Sequence, residues 1–335
     1  MRVAGEFVKT PVALTRWLGA VLAAAVLCSA GHAQDYPNRS VKIIVPSAAG
    51  GQPDIAIRVL AQQFSAQFGQ AFVVENLPGA NGVPAWTAFL KAPADGYTLS
   101  YGDAGYWAIN KALDPRLPFD PQKDLAPIGI YGETTGLFLV VNESMPARSL
   151  QELVALLRSK PGAFSYASAG IGSIHHLIME DFKSSLGLNV LHVPYKGSAQ
   201  AVPALVGGQV SMAIASLAAV SSYAKDGRVR ILGVSTKKRS SMAPSVPPLA
   251  DAGIPDFDHT DAVGLAARAG TPRATIDRLS AALARAVAMP EVVARFASVG
   301  LEPSTDTSPE SLAERNRQNY VKYVRIVKLS GATAD

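Results

Sequence analysis

The sequence is poor in residues that build covalent or metal-bound frameworks. Its 335 residues include one cysteine, which excludes an intrachain disulfide framework and a cysteine-rich zinc site. Charged residues make up only 17% and the net charge is +5, too small a surplus to point to nucleic acid. Glycine and proline, at 28 and 23 residues, suit neither a collagen-like nor a low-complexity chain. The nucleophile elbow G-x-S-x-G, the Walker A loop and the dinucleotide fingerprint G-x-G-x-x-G are all missing. With them go the usual signatures of serine hydrolases, P-loop enzymes and nicotinamide enzymes. Histidine is scarce too, with five residues. His175 and His176 are neighbours, so on a helix they point about 100° apart and cannot chelate one metal together. They and His192, in a predicted strand, read as packing or helix-start hydrogen-bonding residues. The expectation is no metal and no cofactor. What the chain does have is apolar residues, 48% of the total. That is enough to bury large cores and, at this length, to build two domains of about 150 residues each.

The first 33 residues read as an export signal. Arg2, Lys9 and Arg16 form a basic start, Leu18 to Ala30 is apolar, and Gly31-His32-Ala33 ends in small residues. The apolar run is about 13 residues, short of the roughly 20 that cross a bilayer. No adjacent arginine pair stands near the start, and Leu27 before Cys28 is bulky for a lipoprotein signal. Cleavage after Ala33 removes the cysteine, which suits an oxidising compartment. No later apolar stretch is long enough to span a membrane, so the expectation is a soluble, exported product.

Beyond the leader, short apolar runs alternate with helical spacing. Val41 to Pro46 reads as a strand, Pro53 to Phe68 as a helix stopped by Gly69, and Phe72 to Glu75 as a second strand. This is a βαβ unit, which implies parallel pairing. Further strands are expected at Tyr97 to Tyr101, Leu137 to Val141, Phe164 to Ala167, Val190 to Val193, Val210 to Ile214 and Val229 to Val234. Ser149 and Glu152 form a capping box before an apolar helix. Helices are expected from Ile174 to Leu186 and from Ser198 toward Leu205. In the C-terminal stretch, Ile276, Leu279, Leu283 and Val287 share one face, and Ser308-Pro309-Glu310 caps a last helix. The pattern predicts an α/β protein of two domains, each a mainly parallel sheet flanked by helices. Domain 1 takes residues 34–140 and 259–335, domain 2 residues 141–258, with crossings near Val140 to Asn142 and Asp258 to Gly264.

Small-residue turns recur between strand and helix: Ser47 to Pro53, Ser168 to Ser173, and Lys196 to Ser198. At the carboxyl ends of parallel strands, such turns aim free backbone N–H groups and a positive dipole end into a crevice. A single Gly-Gly turn is commonly just a turn. Three in matching positions point to a carboxylate or phosphate site that needs no arginine.

These residues resemble a family. YPNRSVKIIVPSAAGGQPDIAIRVLAQQF (Tyr36 to Phe64), VVENLPGANG (Val73 to Gly82), ADGYTL (Ala94 to Leu99) and LPFDPQKDLAPI (Leu117 to Ile128) follow in order. YASAGIGSIHHL (Tyr166 to Leu177), HVPYKGSAQA (His192 to Ala201), LVGGQV (Leu205 to Val210) and AGTP (Ala269 to Pro272) complete the series. Together they are similar to the substrate-binding receptors of tripartite tricarboxylate transporters, the Bug family, over essentially the whole mature chain. The resemblance implies a periplasmic, type II-like clamshell that captures a small carboxylate and delivers it to membrane permease subunits, without catalytic residues. It implies ligand contacts from Ser47, Ala49, Gly50, Gly51 and Asp54, from Ser168, Ala169, Gly172 and Ser173, and from Tyr195, Lys196, Ser198 and Ser216. Departures are visible. Ser47, Ala48 and Ala49 replace an aromatic and prolines, Ala215 stands where Asp is frequent, and Ala262 where Trp is common. Asp103 replaces a Thr or Ser, followed by Tyr106 and Trp107 as a potential aromatic wall. Asp103 is expected either to point away from a bound carboxylate or to receive a ligand donor. Two other readings stay open from sequence: an exported α/β hydrolase or transferase, and a receptor that meets a sensor protein instead of a permease.

Overall fold

The computed structural model describes residues 36–79 and 82–333; the expected export signal lies outside them. The chain from Ser40 onward packs as one compact unit. It begins β1 (Val41–Val45), α1 (Gln52–Phe68), β2 (Phe72–Asn76), α2 (Val83–Lys91) and β3 (Thr98–Gly102). Pro53 sits in the first turn of α1, where its missing N–H costs nothing, and Gly69 ends the helix at φ 67°. Ile57, Leu60 and Phe64 of α1 are fully buried, at the helical spacing the sequence shows. A π-helical turn (Gly105–Ile109) runs into α3 (Asn110–Leu113), followed by β4 (Leu125–Thr134).

The chain then changes sheet. β5 (Phe138–Asn142), α4 (Leu150–Ser159), β6 (Ser165–Ser168), α5 (Ile174–Leu186), β7 (Leu191–Pro194), α6 (Ser198–Val206), β8 (Met212–Ala215), α7 (Leu217–Lys225) and β9 (Val229–Val234) follow. It returns through β10 (Ala262–Arg268), α8 (Arg273–Val287), α9 (Pro290–Ala297), β11 (Leu301–Pro303) and α10 (Pro309–Ser330). The capping box holds in part: Ser149 Oγ accepts from Glu152 N–H, while the Glu152 carboxylate accepts from Arg148 N–H.

One sheet has six strands in the order β11-β4-β10-β3-β1-β2, the other five in the order β7-β6-β8-β5-β9. If β10 and β5 are set apart as incoming strands, both sheets repeat one internal order, second-first-third-incoming-fourth. The incoming strand explains a difference from the expected mainly parallel sheets. β1 pairs parallel with β2 and β3, and β6 parallel with β7 and β8. By contrast β10 and β5 enter from the other sheet and run antiparallel to both neighbours. Each sheet is therefore mixed. The first crossing lies between Thr134 and Phe138, a few residues before the expected place. It runs beside the second: Thr134 N–H donates to Asp261 O, and His259 N–H to Ser235 O.

Cores form on both sheets. In the first, Trp86 stacks on Phe119 at 4.1 Å and packs with Ile44, Phe89 and Trp107. In the second, Leu139, Leu153, Tyr166 and Phe182 are fully buried; each such side chain contributes about 1.5–3 kcal/mol. A further cluster joins Ala108 and Ile109 of the π turn to Leu177 of α5 and Ile326 of α10. The C-terminal helix thus holds the first sheet's π turn against the second sheet's α5.

Candidate functional site

Three helix starts meet at one cavity of about 430 Å³, lined by Gln52 of α1, by Ile174 and Ile178 of α5, and by Ser216, Leu217 and Ala218 at α7. Thr134 to Leu137 and His259 and Asp261, from the two crossings, close its inner end. The first four N–H groups of a helix lack helical partners, so each start offers donors to an anion. No lining residue is arginine or lysine.

The first turn is built around a buried carboxylate. Asp54 is 3% exposed. It accepts from Gly50 N–H at 2.9 Å, from Arg58 Nε at 3.0 Å and from Asn76 Nδ2 at 2.9 Å. Burial works against its charge, but these partners outweigh it and hold the carboxyl below its usual range. Asn76 also donates to Ser47 O, so the end of β2 fixes the end of β1. Asp54 is therefore a builder of the turn, and Gly50 gives its N–H inward. Gly51 and Gln52 remain at the open helix end, and Ala48 to Gly51 are exposed. Gly50 takes φ +83°, a conformation that demands glycine. Ser47 Oγ is buried with no partner.

The second turn is equally self-supporting. Ser168 is 1% exposed; its Oγ lies 2.7 Å from His192 Nε2 and accepts from Gly170 N–H. Gly172 N–H donates to His176 Nδ1, and Ser173 Oγ donates to Gly170 O while capping His176 N–H. His176 thus does make the helix-start bond expected of it. His176 and His192 stack at 4.1 Å, and Tyr166 stacks on His192 at 4.7 Å. Burial pushes the His192 imidazole down to about 4 and lowers that of His176. Neutral rings are what this geometry needs, since His176 Nδ1 is an acceptor. The donors left free at this helix start come one step later than the turn, at Ile174, which lines the cavity, and at His175. His175 Nδ1 is buried without a partner.

The other expected contacts divide. Ser216 lines the 430 Å³ cavity. Ala169, Gly172 and Ser173 line a second cavity of about 420 Å³, with Gly105, Leu113 and Thr333. The third expected turn, at Tyr195, Lys196 and Ser198, lies beside the second: Tyr195 N–H donates to Ser168 O and Gly197 N–H to Ala169 O. Its residues line neither cavity, and the α7 start takes that place. Trp107 forms no aromatic wall. It is 1% exposed beneath β3, and a Cβ at Gly102 would stand 1.8 Å from its ring. Tyr106 bonds through its hydroxyl to Pro46 O. Asp103 accepts from Tyr101 Oη at 2.8 Å and from Tyr106 N–H at 3.0 Å. Gln52, His259 and Asp261 were missed, because nothing local in the sequence marks a residue that lines a cavity only once two sheets meet.

Fold and site define a two-lobed periplasmic binding protein, with the cavity where the lobes join. Residues 56–330 match the tripartite tricarboxylate transporter family receptor, and the chain belongs to that family of solute-binding receptors. BugT from Bordetella pertussis is 33% identical over 316 residues, covering 94% of this chain and 96% of the relative. A protein from the gbd 5' region of Cupriavidus necator is 35% identical over 286 residues, covering 85% of each. Among solved structures, an R. palustris protein with adipate has a TM-score of 0.73 at 30% identity, covering 89% of this chain and 99% of that one. The periplasmic binding protein BugD has a TM-score of 0.70 at 29% identity, covering 90% and 100%.

Proposed function

We propose that this chain captures a small carboxylate between its two lobes in the periplasm and delivers it to the permease subunits of a tripartite transporter. One observation carries the reading: three helix starts, at Gln52, Ile174 and Leu217, share one cavity with no lysine or arginine on its wall. Such a site favours an anion by dipole and backbone N–H groups together. Ser47 Oγ, buried and unpaired, is a further donor for a ligand oxygen. The similar R. palustris structures carry adipate and malate, which supports the carboxylate class. The lobes of this reading are residues 34–140 with 259–335, and 141–258. Export follows cleavage after Ala33, so intact mass of the secreted protein is expected to begin at Gln34; a lipidated Cys28 would overturn that.

The test is a melting-temperature screen against linear and branched mono- and dicarboxylates. A binder at a hundredfold excess over Kd is expected to add about 2.7 kcal/mol. The same ligand is expected to reduce the radius of gyration in solution scattering as the lobes close. A screen with no carboxylate binder would sink the proposal.

A further inference from the structure

Two neighbouring carboxylates, one of them on the cavity wall, are held directly by hydrogen bonds alone. Asp261 lines the cavity, and its Oδ1 accepts the N–H of Ala104 at 3.0 Å, the residue next to Asp103. Asp103 is held by Tyr101 Oη and Tyr106 N–H. Among the described residues neither aspartate makes an ion pair, and the nearby cations are engaged elsewhere. Arg315 pairs with Glu133 at 3.0 Å, Arg325 with Asp181 at 2.7 Å, and Lys322 Nζ donates to Asp258 O at 2.8 Å. Behind the pair stands Tyr131. It is fully buried, its hydroxyl has no hydrogen-bond partner, and it lies within electrostatic reach of both carboxylates. An unpaired buried hydroxyl is costly and rare. Two carboxylates and a hydroxyl thus gather without an ion-pair partner, Lys322 and Arg315 acting on Asp261 from a distance.

We propose that the captured carboxylate also bears an ammonium group, and that this group seats at Asp261 with Asp103 and Tyr131 behind it. The proposal rests on the carboxylate-receptor reading and narrows its ligand class. A purely anionic ligand finds at most the one O–H donor of the protonated pair at this end of the cavity. An ammonium has three donors to distribute among acceptors, and its charge removes the repulsion between the two aspartates. A hydroxyl would satisfy one acceptor and leave the charge unbalanced.

The unliganded pair holds a proton, since burial and the neighbouring Asp103 raise the Asp261 carboxyl to about 8. The groups facing it are Asp103 and Tyr101 from β3 and its turn, Tyr131 from β4, and Arg315, Lys322 and Tyr323 from α10. A cation arriving at the pair expels that proton, so affinity for an amino acid is expected to rise from pH 6 to pH 8.

The test measures four probe pairs by titration calorimetry on the mature protein: aspartate against succinate, glutamate against glutarate, 4-aminobutanoate against butanoate, and 6-aminohexanoate against hexanoate. At least one amino probe is expected to bind tenfold or more tightly than its nitrogen-free counterpart. Asp261→Asn is expected to erase that ratio and the pH slope. Tyr131→Phe, which leaves no orphaned hydroxyl, is expected to weaken the amino probe several-fold and the nitrogen-free acid not at all. Nitrogen-free acids binding as tightly as their partners would overturn the ammonium site and leave the carboxylate reading standing. So would an unchanged ratio in folded Asp261→Asn. Binding by no probe of either kind would overturn both.

Discussion

Gly51→Val is expected to weaken binding of the captured carboxylate by about 30-fold or more, roughly 2 kcal/mol, with circular dichroism and melting temperature unchanged. The substitution separates site from fold unusually well. Gly51 has φ −73°, open to any residue, and a Cβ there would meet only Ala48 O at 3.5 Å and Pro53 Cδ at 3.7 Å. The backbone therefore tolerates valine. The bulk instead stands over the free N–H groups of Gly51 and Gln52. One charge-assisted hydrogen bond contributes about 1.5–3 kcal/mol, so blocking approach to these donors removes at least that much. Gly50→Val would be a poor substitute, because φ +83° strains any side chain and confounds binding with stability. Ser173→Ala is confounded as well: its hydroxyl caps α5, and losing a cap costs about 1 kcal/mol of stability. Equal affinity of a folded Gly51→Val protein would remove the α1 start from the site.

The parallel half of each sheet was legible in the sequence because its signals are local. Val41 to Pro46, a small-residue turn, and the helical spacing of Ile55, Val59, Leu60, Phe64 and Phe68 describe a βαβ unit without reference to anything distant, although Ile57 is fully buried and Ile55 and Val59 are not. The helix at about Ile174 to Leu186 was readable, with Gly187 as its stop; the structure adds Ser173 as its cap. The antiparallel strands were legible in the second sheet, at β5 and β9, but not in the first. β4 reads LAPIGIYGET, whose proline and glycines break the apolar run, and β10 reads AVGLAAR, rich in alanine of low strand propensity. Both are strands because each lies against the other and a neighbouring strand, a fact of long-range pairing. The site divides along the same line. The turns were visible as turns, but which N–H groups stay free depended on Asp54, His176 and Ser168 turning inward. Sequence order places the Lys196 turn and the Ser216 turn on equal terms; only the strand order β7-β6-β8-β5-β9 sets β8, and not edge strand β7, over the cavity.

With Asp261 replaced by asparagine, acidification from pH 7 to pH 5 is expected to destabilise this protein by several kcal/mol, through histidines held neutral by burial. Burial pushes His175 and His192 down to about 4 and lowers His176. Burial also lowers His259, against the opposing pull of its bond to Asp181 at 3.0 Å. A group whose folded pKa lies below the unfolded value of about 6.5 binds fewer protons when folded. Its stability contribution is whole above pH 6.5 and is lost as pH falls through that value toward 4. At pH 5 an imidazole held at about 4, such as His175 or His192, loses up to about 2 kcal/mol in this way, less where solvent reaches the ring. Asp181 does not interfere: its carboxyl is held low by His259 and Arg325, so its effect begins only below pH 4. Asp261 does interfere, with the opposite sign. Raised to about 8, it favours the folded state increasingly as pH falls from 8 toward 4, and so masks part of the loss. Asp261→Asn removes that opposing contribution, and the variant is expected to melt higher than the parent at pH 7.5 and to lose more on acidification. His175→Leu in the same background is expected to recover about a quarter to a third of the loss, because leucine titrates nothing and leaves no orphaned Nδ1. Melting temperatures of Asp261→Asn that stay flat between pH 7 and pH 5 would show that these imidazoles are not buried as the stack and the helix start require.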